Sequence, residues 1–93
     1  MIVGAVQITI YAPWVHSLKE KRMVVKSLSA KTKNKFNVSV AEVEDQDLHQ
    51  RIVLGIACVV SEASVANSMI DNVLNFVESN TEGEIIDIER ELR

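Results

Sequence analysis

The sequence predicts an α+β fold in which two helices cover one face of a four-stranded antiparallel sheet. Four segments have the period-two pattern or the apolar character of strands, and two longer segments repeat apolar residues at the helical period. Along the chain they follow the order β-α-β-β-α-β, which is the split βαβ arrangement. Ninety-three residues suffice for one small core, so we expect a single domain over residues 1–93.

The first strand is predicted at residues 2–11. Its even positions are apolar and are expected to face the core, namely Ile2, Gly4, Val6, Ile8 and Ile10. No Lys or Arg precedes this short run, and Gln7 and Thr9 interrupt it, so it has the pattern of a strand and not of a signal peptide. Cys58 is the only cysteine, which excludes an intramolecular disulfide. We therefore expect a cytoplasmic protein with no membrane contact.

The first helix is predicted to begin at about Leu18. Ser17 and Glu20 have the S-x-x-E spacing of a capping box, in which each side chain accepts a hydrogen bond from the other residue's backbone N–H. Lys21 projects into the apolar face, where its ammonium is expected to pass the helix end or to pair with a carboxylate. The apolar residues of this face are Leu18, Val24, Val25 and Leu28.

Most of the positive charge lies on the same helix. Residues 19–35 hold seven of the ten Lys and Arg and a single acid, a net charge of +6, whereas the rest of the chain carries −9. Because successive helical residues are about 100° apart, four of the cations fall on one side. These four, called the basic stripe below, are Lys19, Arg22, Lys26 and Lys33. The stripe is either a phosphate-binding surface for RNA or the solvated face of an amphipathic helix.

The second and third strands are predicted to form a hairpin. Residues 36–41 alternate apolar and polar side chains, and the acidic tract at residues 42–47 follows as the hairpin loop. Residues 51–60 are apolar on both faces, which is typical of a central strand. Right-handed crossovers likewise place the first and third strands in the middle of the sheet.

The second helix is predicted at residues 63–79, and the last strand after it has an acidic face. In that strand Ile86, Ile88 and Leu92 alternate with Asp87, Glu89 and Glu91. The sheet face away from the helices presents small apolar side chains, which we expect to be covered in a homodimer or by another partner. The residues of this predicted partner surface are Val3, Ala5, Val53, Ala57 and Val59.

Two further features have both a functional and a structural interpretation. Trp14 precedes the first helix and either stacks on an exposed base or covers one end of the core. Asp45, Asp47 and His49 alternate and could share a divalent cation, but a polar hairpin tip has the same composition. No nucleophile, oxyanion donor or Gly-rich phosphate loop accompanies them. The sequence therefore predicts no catalytic residue, no bound metal and no cofactor.

Five segments spread over nearly the whole chain carry a resemblance to a known family. They are SLKEKR at residues 17–22, VVKSL at 24–28, FNVSVAEV at 36–43, DQDL at 45–48 and QRIVLG at 50–55. Together they resemble the YlxP-like family of small uncharacterised bacterial proteins. The resemblance implies a ferredoxin-like βαββαβ sandwich, and it implies a gene context among translation and ribosome-maturation factors, with no established activity or catalytic residues.

These observations favour a non-enzymatic accessory factor of translation or ribosome maturation. It would contact rRNA or a ribosomal subunit with the basic stripe and Trp14, and we expect it to be a homodimer. The alternative is a homodimeric protein-interaction or small-ligand regulatory module that uses the open sheet face, with the helix merely solvated. A metal-dependent hydrolase at Asp45, Asp47 and His49 has the least support. The acidic overall pI of about 5.3 requires any RNA contact to be oriented.

Overall fold

The strand and helix order of a computed structural model, which describes residues 1–93, is the predicted one. The elements are β1 (Ile2–Tyr11), α1 (Leu18–Lys35), β2 (Ser39–Glu44), β3 (Arg51–Val60), α2 (Ala63–Asn80) and β4 (Glu84–Leu92). The strands form one antiparallel sheet in the order β2-β3-β1-β4, so the first and third strands are central, as predicted. Neither helix combines the length and the apolar character needed to cross a bilayer.

One hydrophobic core lies between the sheet and the two helices. The even positions of β1 face it, and they pair in register with the even positions of β3, for example Ile8 with Leu54. Because α2 has a broad apolar face, it supplies three core residues, whereas the charged α1 supplies only Leu28. The remaining core residues from the strands and α2 are Val6, Ile10, Ile52, Ile56, Ile70, Val73 and Val77.

The second strand begins three residues later than predicted. The first helix continues through Lys35, and the backbone N–H of Phe36 donates to the Thr32 carbonyl at 2.9 Å, which caps the last turn. The Phe36 ring then packs edge-on against Phe76 of α2, with ring centroids 5.6 Å apart. The predicted start of the strand at residue 36 was wrong, because Phe36 caps the end of α1 and packs against α2.

The second strand also extends into the acidic tract that was predicted to be loop. It includes Glu42 and Glu44, with a bulge between them where the pairing to β3 shifts. Glu42 pairs with Leu54 and therefore points to the helix side of the sheet, toward α1. The charge of this residue suggested a loop, but an ion pair described below holds it in the strand.

The last strand turns its carboxylates away from the helices. Asp87, Glu89 and Glu91 pair in register with Thr9, Gln7 and Ala5, the positions of β1 that point away from the core. A bulge between Thr9 and Ile10 leaves Ile86 without a partner. The open sheet face is therefore bordered along one edge by the predicted row of acids.

Candidate nucleic-acid interface

The basic stripe lies on the solvent side of α1. Ser17 Oγ accepts a hydrogen bond from the Glu20 N–H at 3.1 Å, so the helix begins where the capping box predicted. All four stripe residues are exposed, whereas the buried residues of the helix lie on its other side. At 1.5 Å per residue the stripe extends over about 21 Å from Lys19 to Lys33. This length allows contacts to several phosphates of one RNA strand.

The exposed cations of α1 have no acidic partners within the chain. Four ion pairs are present, and their cations are Lys21, Arg51, Arg90 and Arg93. Only Lys21 belongs to α1, and it is buried. The positive charge on the outside of the helix is therefore not neutralised locally. The six exposed and unpaired cations are Lys19, Arg22, Lys26, Lys31, Lys33 and Lys35.

Trp14 lies apart from the basic stripe. It is half-buried against the core and lines a cleft of about 260 Å³ together with Lys31 and the C-terminal end of α2. Lys31 lines this cleft, Lys35 follows one turn later on the same flank of α1, and the stripe lies on the opposite flank. The loop that carries Trp14 is fixed by Gln50, whose Nε2 donates to the Pro13 carbonyl at 2.9 Å. Trp14 thus accompanies Lys31 and does not extend the stripe.

Lys21 is the buried cation of α1, and its ammonium is held by two oxygen atoms. Nζ lies 2.7 Å from Glu42 Oε2, an oxygen with no other polar partner, and Nζ also donates to the Asp45 carbonyl. The Asp45 backbone has φ of 55°, in the left-handed region, and its carboxylate pairs with Arg51 at 2.7 Å. Of the two alternatives that the sequence left open for Lys21, the structure shows the pairing with a carboxylate, which ties α1 to the end of β2.

The residues of the candidate metal site do not converge. The Asp45 carboxylate is paired with Arg51, whereas Asp47 and His49 line a depression in whose lining Asp45 takes no part. No group of three or more His, Cys, Asp or Glu side chains is arranged to hold a metal ion. The hairpin tip is stabilised by local bonds instead, including that from Gln46 Nε2 to the Glu42 carbonyl.

The depression lined by Asp47 and His49 brings together residues that are distant in the sequence and that no sequence pattern connected. It has a volume of about 600 Å³, lies at the end of the sheet, and brings both histidines, His16 and His49, into one lining with Tyr11 and Arg51. Tyr11, Leu48 and Ile86 are exposed around it. These residues come from β1, the loop before α1, the hairpin and β4. These residues are close together because of the order of the strands in the sheet, so no local pattern in the sequence predicts the depression.

The open sheet face differs in one respect from the predicted partner surface. Val59 is 65% exposed, and Val3, Ala5 and Ala57 are half-buried, but Val53 is only 1% exposed. Val53 lies on a central strand between its partners Thr9 and Glu44, whose side chains share its face and flank it on both sides. Val53 is therefore interior in the single chain and offers no accessible surface to a partner.

An ion pair lies at one corner of the open sheet face, at the C-terminal end of β4. Arg93 Nε lies 3.0 Å from Glu91 Oε1, and Arg93 Nη2 donates to Glu91 Oε2 at 3.0 Å. The hydrogen bond from Nη2 and the charge of Arg93 hold the pKa of Glu91 below its usual range, and the Glu91 carboxylate in turn raises the pKa of Arg93. Both groups are therefore charged at neutral pH.

Solved structures with the same fold include two designed proteins. The chain is similar to the de novo designed protein LFR1 1 with ferredoxin fold, studied in solution by NMR, with a TM-score of 0.61 and 16% identity over 100% of this chain and 86% of the other. It is also similar to the de novo designed protein Foldit4, with a TM-score of 0.57 and 11% identity over 99% of this chain and 94% of the other. These similarities establish the ferredoxin-like βαββαβ sandwich and carry no functional information.

Sequence comparison identifies the family. The chain is 44% identical over 63 residues to a Bacillus subtilis (strain 168) protein named uncharacterized protein YlxP, and the match covers 68% of each chain. Residues 3–90 match the family model described as protein of unknown function (DUF503). The resemblance seen in the sequence is thus confirmed. The chain belongs to the DUF503 family of proteins of unknown function.

Proposed function

We propose that this protein is a non-enzymatic, cytoplasmic accessory factor of translation or ribosome maturation that contacts ribosomal RNA through α1. The observation that carries the proposal is the basic stripe, four exposed cations on one side of α1 that no acidic side chain of the chain neutralises. Such cations displace counterions from phosphates, which drives RNA association. The gene context implied by the YlxP-like resemblance supplies the link to translation.

Charge distribution decides how the protein would approach the RNA. The row of acids on β4 lies on the open sheet face, whereas α1 belongs to the helix layer on the other side of the sheet. Phosphates are attracted to the helix layer and repelled by the open face. One orientation is therefore strongly favoured, despite the net charge of −3.

The test is co-sedimentation with ribosomal subunits and with protein-free rRNA over a salt series. A stripe variant, Lys19→Gln with Lys26→Gln, is compared with a matched control, Lys31→Gln with Lys35→Gln. Both lose two charges from exposed positions of the same helix. We expect the stripe variant to bind more weakly and to lower the slope of log affinity against log salt by about two, one for each lost phosphate contact. The control should bind like the wild type.

Three results would contradict the proposal. They are absence of binding to both subunits and rRNA, binding that does not respond to salt, and equal losses in the stripe variant and its control. Binding to subunits without binding to protein-free rRNA would assign the contact to a ribosomal protein instead.

The second candidate function is a homodimeric protein-interaction or small-ligand regulatory module. It is favoured by a depression of about 540 Å³ on the open sheet face, an accessible concave surface with several apolar lining residues. In that case the exposed part of the predicted partner surface would be the functional region. A thermal shift with a metabolite and none with RNA would favour this candidate.

A further inference from the structure

The depression on the open sheet face, called the trough below, has a floor of very small side chains. Ala5, Ala41, Gly55 and Ala57 line it, and they come from β1, β2 and β3. At Gly55 even a Cβ atom would lie 2.8 Å from Val43 Cγ1, so glycine is required for Val43 to pack over the strand. The absence of large side chains leaves a shallow channel about 540 Å³ in volume.

One wall of the trough is a regular row of carboxylates. Asp87, Glu89 and Glu91 occupy alternate positions of β4 and project to the open face, and Glu89 and Glu91 line the trough. At 3.4 Å per residue, neighbouring members of the row are about 6.8 Å apart. Glu44 stands on the opposite edge, in register with Val53. The row therefore repeats with the same period as alternate side chains of an extended peptide.

One of the three wall carboxylates is neutralised by a cation on this face, and the other two are not. Arg93 pairs with Glu91, and Arg51 pairs with Asp45 at the hairpin end. Asp87, Glu89 and Glu44 form no ion pair. The open face thus combines an accessible apolar floor with unpaired negative charge at its rim, which is complementary to a positively charged and partly apolar partner.

We propose that the trough binds an extended, Lys- or Arg-rich polypeptide segment of a partner protein. Alternate cations of the segment lie against Asp87 and Glu89, and the intervening small or apolar side chains lie on the alanine and glycine floor. The inference deepens the protein-interaction part of the second candidate function, and it names a different chain, not a second copy, as the occupant of this face. It does not depend on RNA contact, because the cations of α1 are in the other layer of the molecule.

A second copy of the chain is a poorer occupant. A face-to-face dimer would bring two rows of carboxylates into one interface, with no cation on that face free to compensate them. A contact between the trough and α1 of another copy would be heterologous, and it would build open-ended polymers unless its rotation closed a ring. Charge complementarity therefore points to a different, cationic chain.

The experiment measures binding of fluorescent peptides by anisotropy and maps it by amide chemical shifts. One peptide alternates Lys and Ala, a second has the same composition with its Lys residues in one block, and a third alternates Glu and Ala. We expect the alternating Lys peptide to bind most tightly, with shifts confined to the open face. The Glu peptide should not bind.

Matched variants distinguish binding in the trough from a general attraction of the peptide to a negatively charged protein. Asp87→Asn with Glu89→Gln removes the two unpaired carboxylates of the wall, and Glu62→Gln with Glu78→Gln removes two from the ends of α2, all at exposed positions. We expect the first pair to weaken binding about tenfold and the second by less than about twofold. Ala57→Tyr, which fills the floor without changing charge, should abolish binding. Far-UV circular dichroism checks that each variant folds.

The outcomes distinguish this inference from the RNA proposal. Equal losses of binding in the two pairs of variants, shifts outside the open face, or equal affinity for the two Lys peptides would overturn it. So would a dimer or polymer in sedimentation that Ala57→Tyr disrupts, because a second copy would then occupy the trough. Failure of rRNA binding by the basic stripe has no bearing on these peptide measurements.

Discussion

The buried ammonium of Lys21 is the most consequential single interaction outside the apolar core. Lys21 is only 1% exposed and lies between α1 and the end of β2. The Glu42 carboxylate balances the charge of its ammonium, and the Asp45 carbonyl accepts a hydrogen bond from it. Glu42 is itself largely buried, so neither partner is well solvated when the other is removed. The pair fixes the position of α1 over the edge strand.

Replacing Lys21 with Met is expected to destabilise the protein by about 3 kcal/mol, because the substitution leaves the Glu42 carboxylate buried without a counter-charge. The double variant Lys21→Met with Glu42→Leu should recover most of this loss, since both charged groups then become apolar. Urea unfolding of the four members of the cycle gives the coupling free energy. A single variant as stable as the wild type would show that water solvates this pair.

At the scale of elements, the two helices begin differently although both have extended N-cap residues. The N-cap of α1, Ser17, accepts a bond from Glu20, whereas Glu62, the N-cap of α2, makes no side-chain bond. The first turn of α2 also lacks an acidic residue. The N-terminal N–H groups of α2 are therefore less well satisfied than those of α1.

Substitutions at the two caps are expected to have opposite effects. Ser17→Ala should cost about 1 kcal/mol of unfolding free energy, because the Glu20 N–H loses its acceptor. Glu62→Ser should stabilise by about 0.5 to 1 kcal/mol by supplying the missing acceptor to α2. Thermal unfolding of both variants checks the prediction, and a destabilised Glu62→Ser variant would mean that Glu62 has a role other than capping.

At the scale of the whole molecule, one core joins the two central strands and both helices. The buried cluster contains residues of β1, β3, α1 and α2, with Ala12 and Val15 from the loop between the first two elements. Trp14 packs against this cluster and reports on it by fluorescence. Opening any one element exposes apolar surface of the others, so unfolding should be cooperative.

We therefore expect residues 1–93 to unfold in a single two-state transition. Calorimetric and van't Hoff enthalpies should agree, and Trp14 fluorescence should change together with far-UV circular dichroism. Two separate transitions, or fluorescence that changes well before the helical signal, would indicate that the single-domain prediction for this chain is wrong.

Local patterns in the sequence determined the fold, the order of its elements, the start of α1 and the acidic face of β4. Each of these depends on periodicity or capping within one segment, where neighbours along the chain are also neighbours in space. The basic stripe was predictable for the same reason, because its four residues share one helix. The boundaries of β2 were not predictable from a local pattern, because contacts with α2 and α1 place Phe36 and Glu42.

Only the tertiary structure decided which residues meet across elements. The partner of Lys21, the separation of Trp14 from the basic stripe, the burial of Val53 and the gathering of His16 and His49 at one end of the sheet all follow from strand order and helix position. The trough also depends on the order of the strands in the sheet, because its floor and its acidic wall belong to different strands. Such surfaces depend on contacts between distant segments, which the pattern within any one segment does not specify.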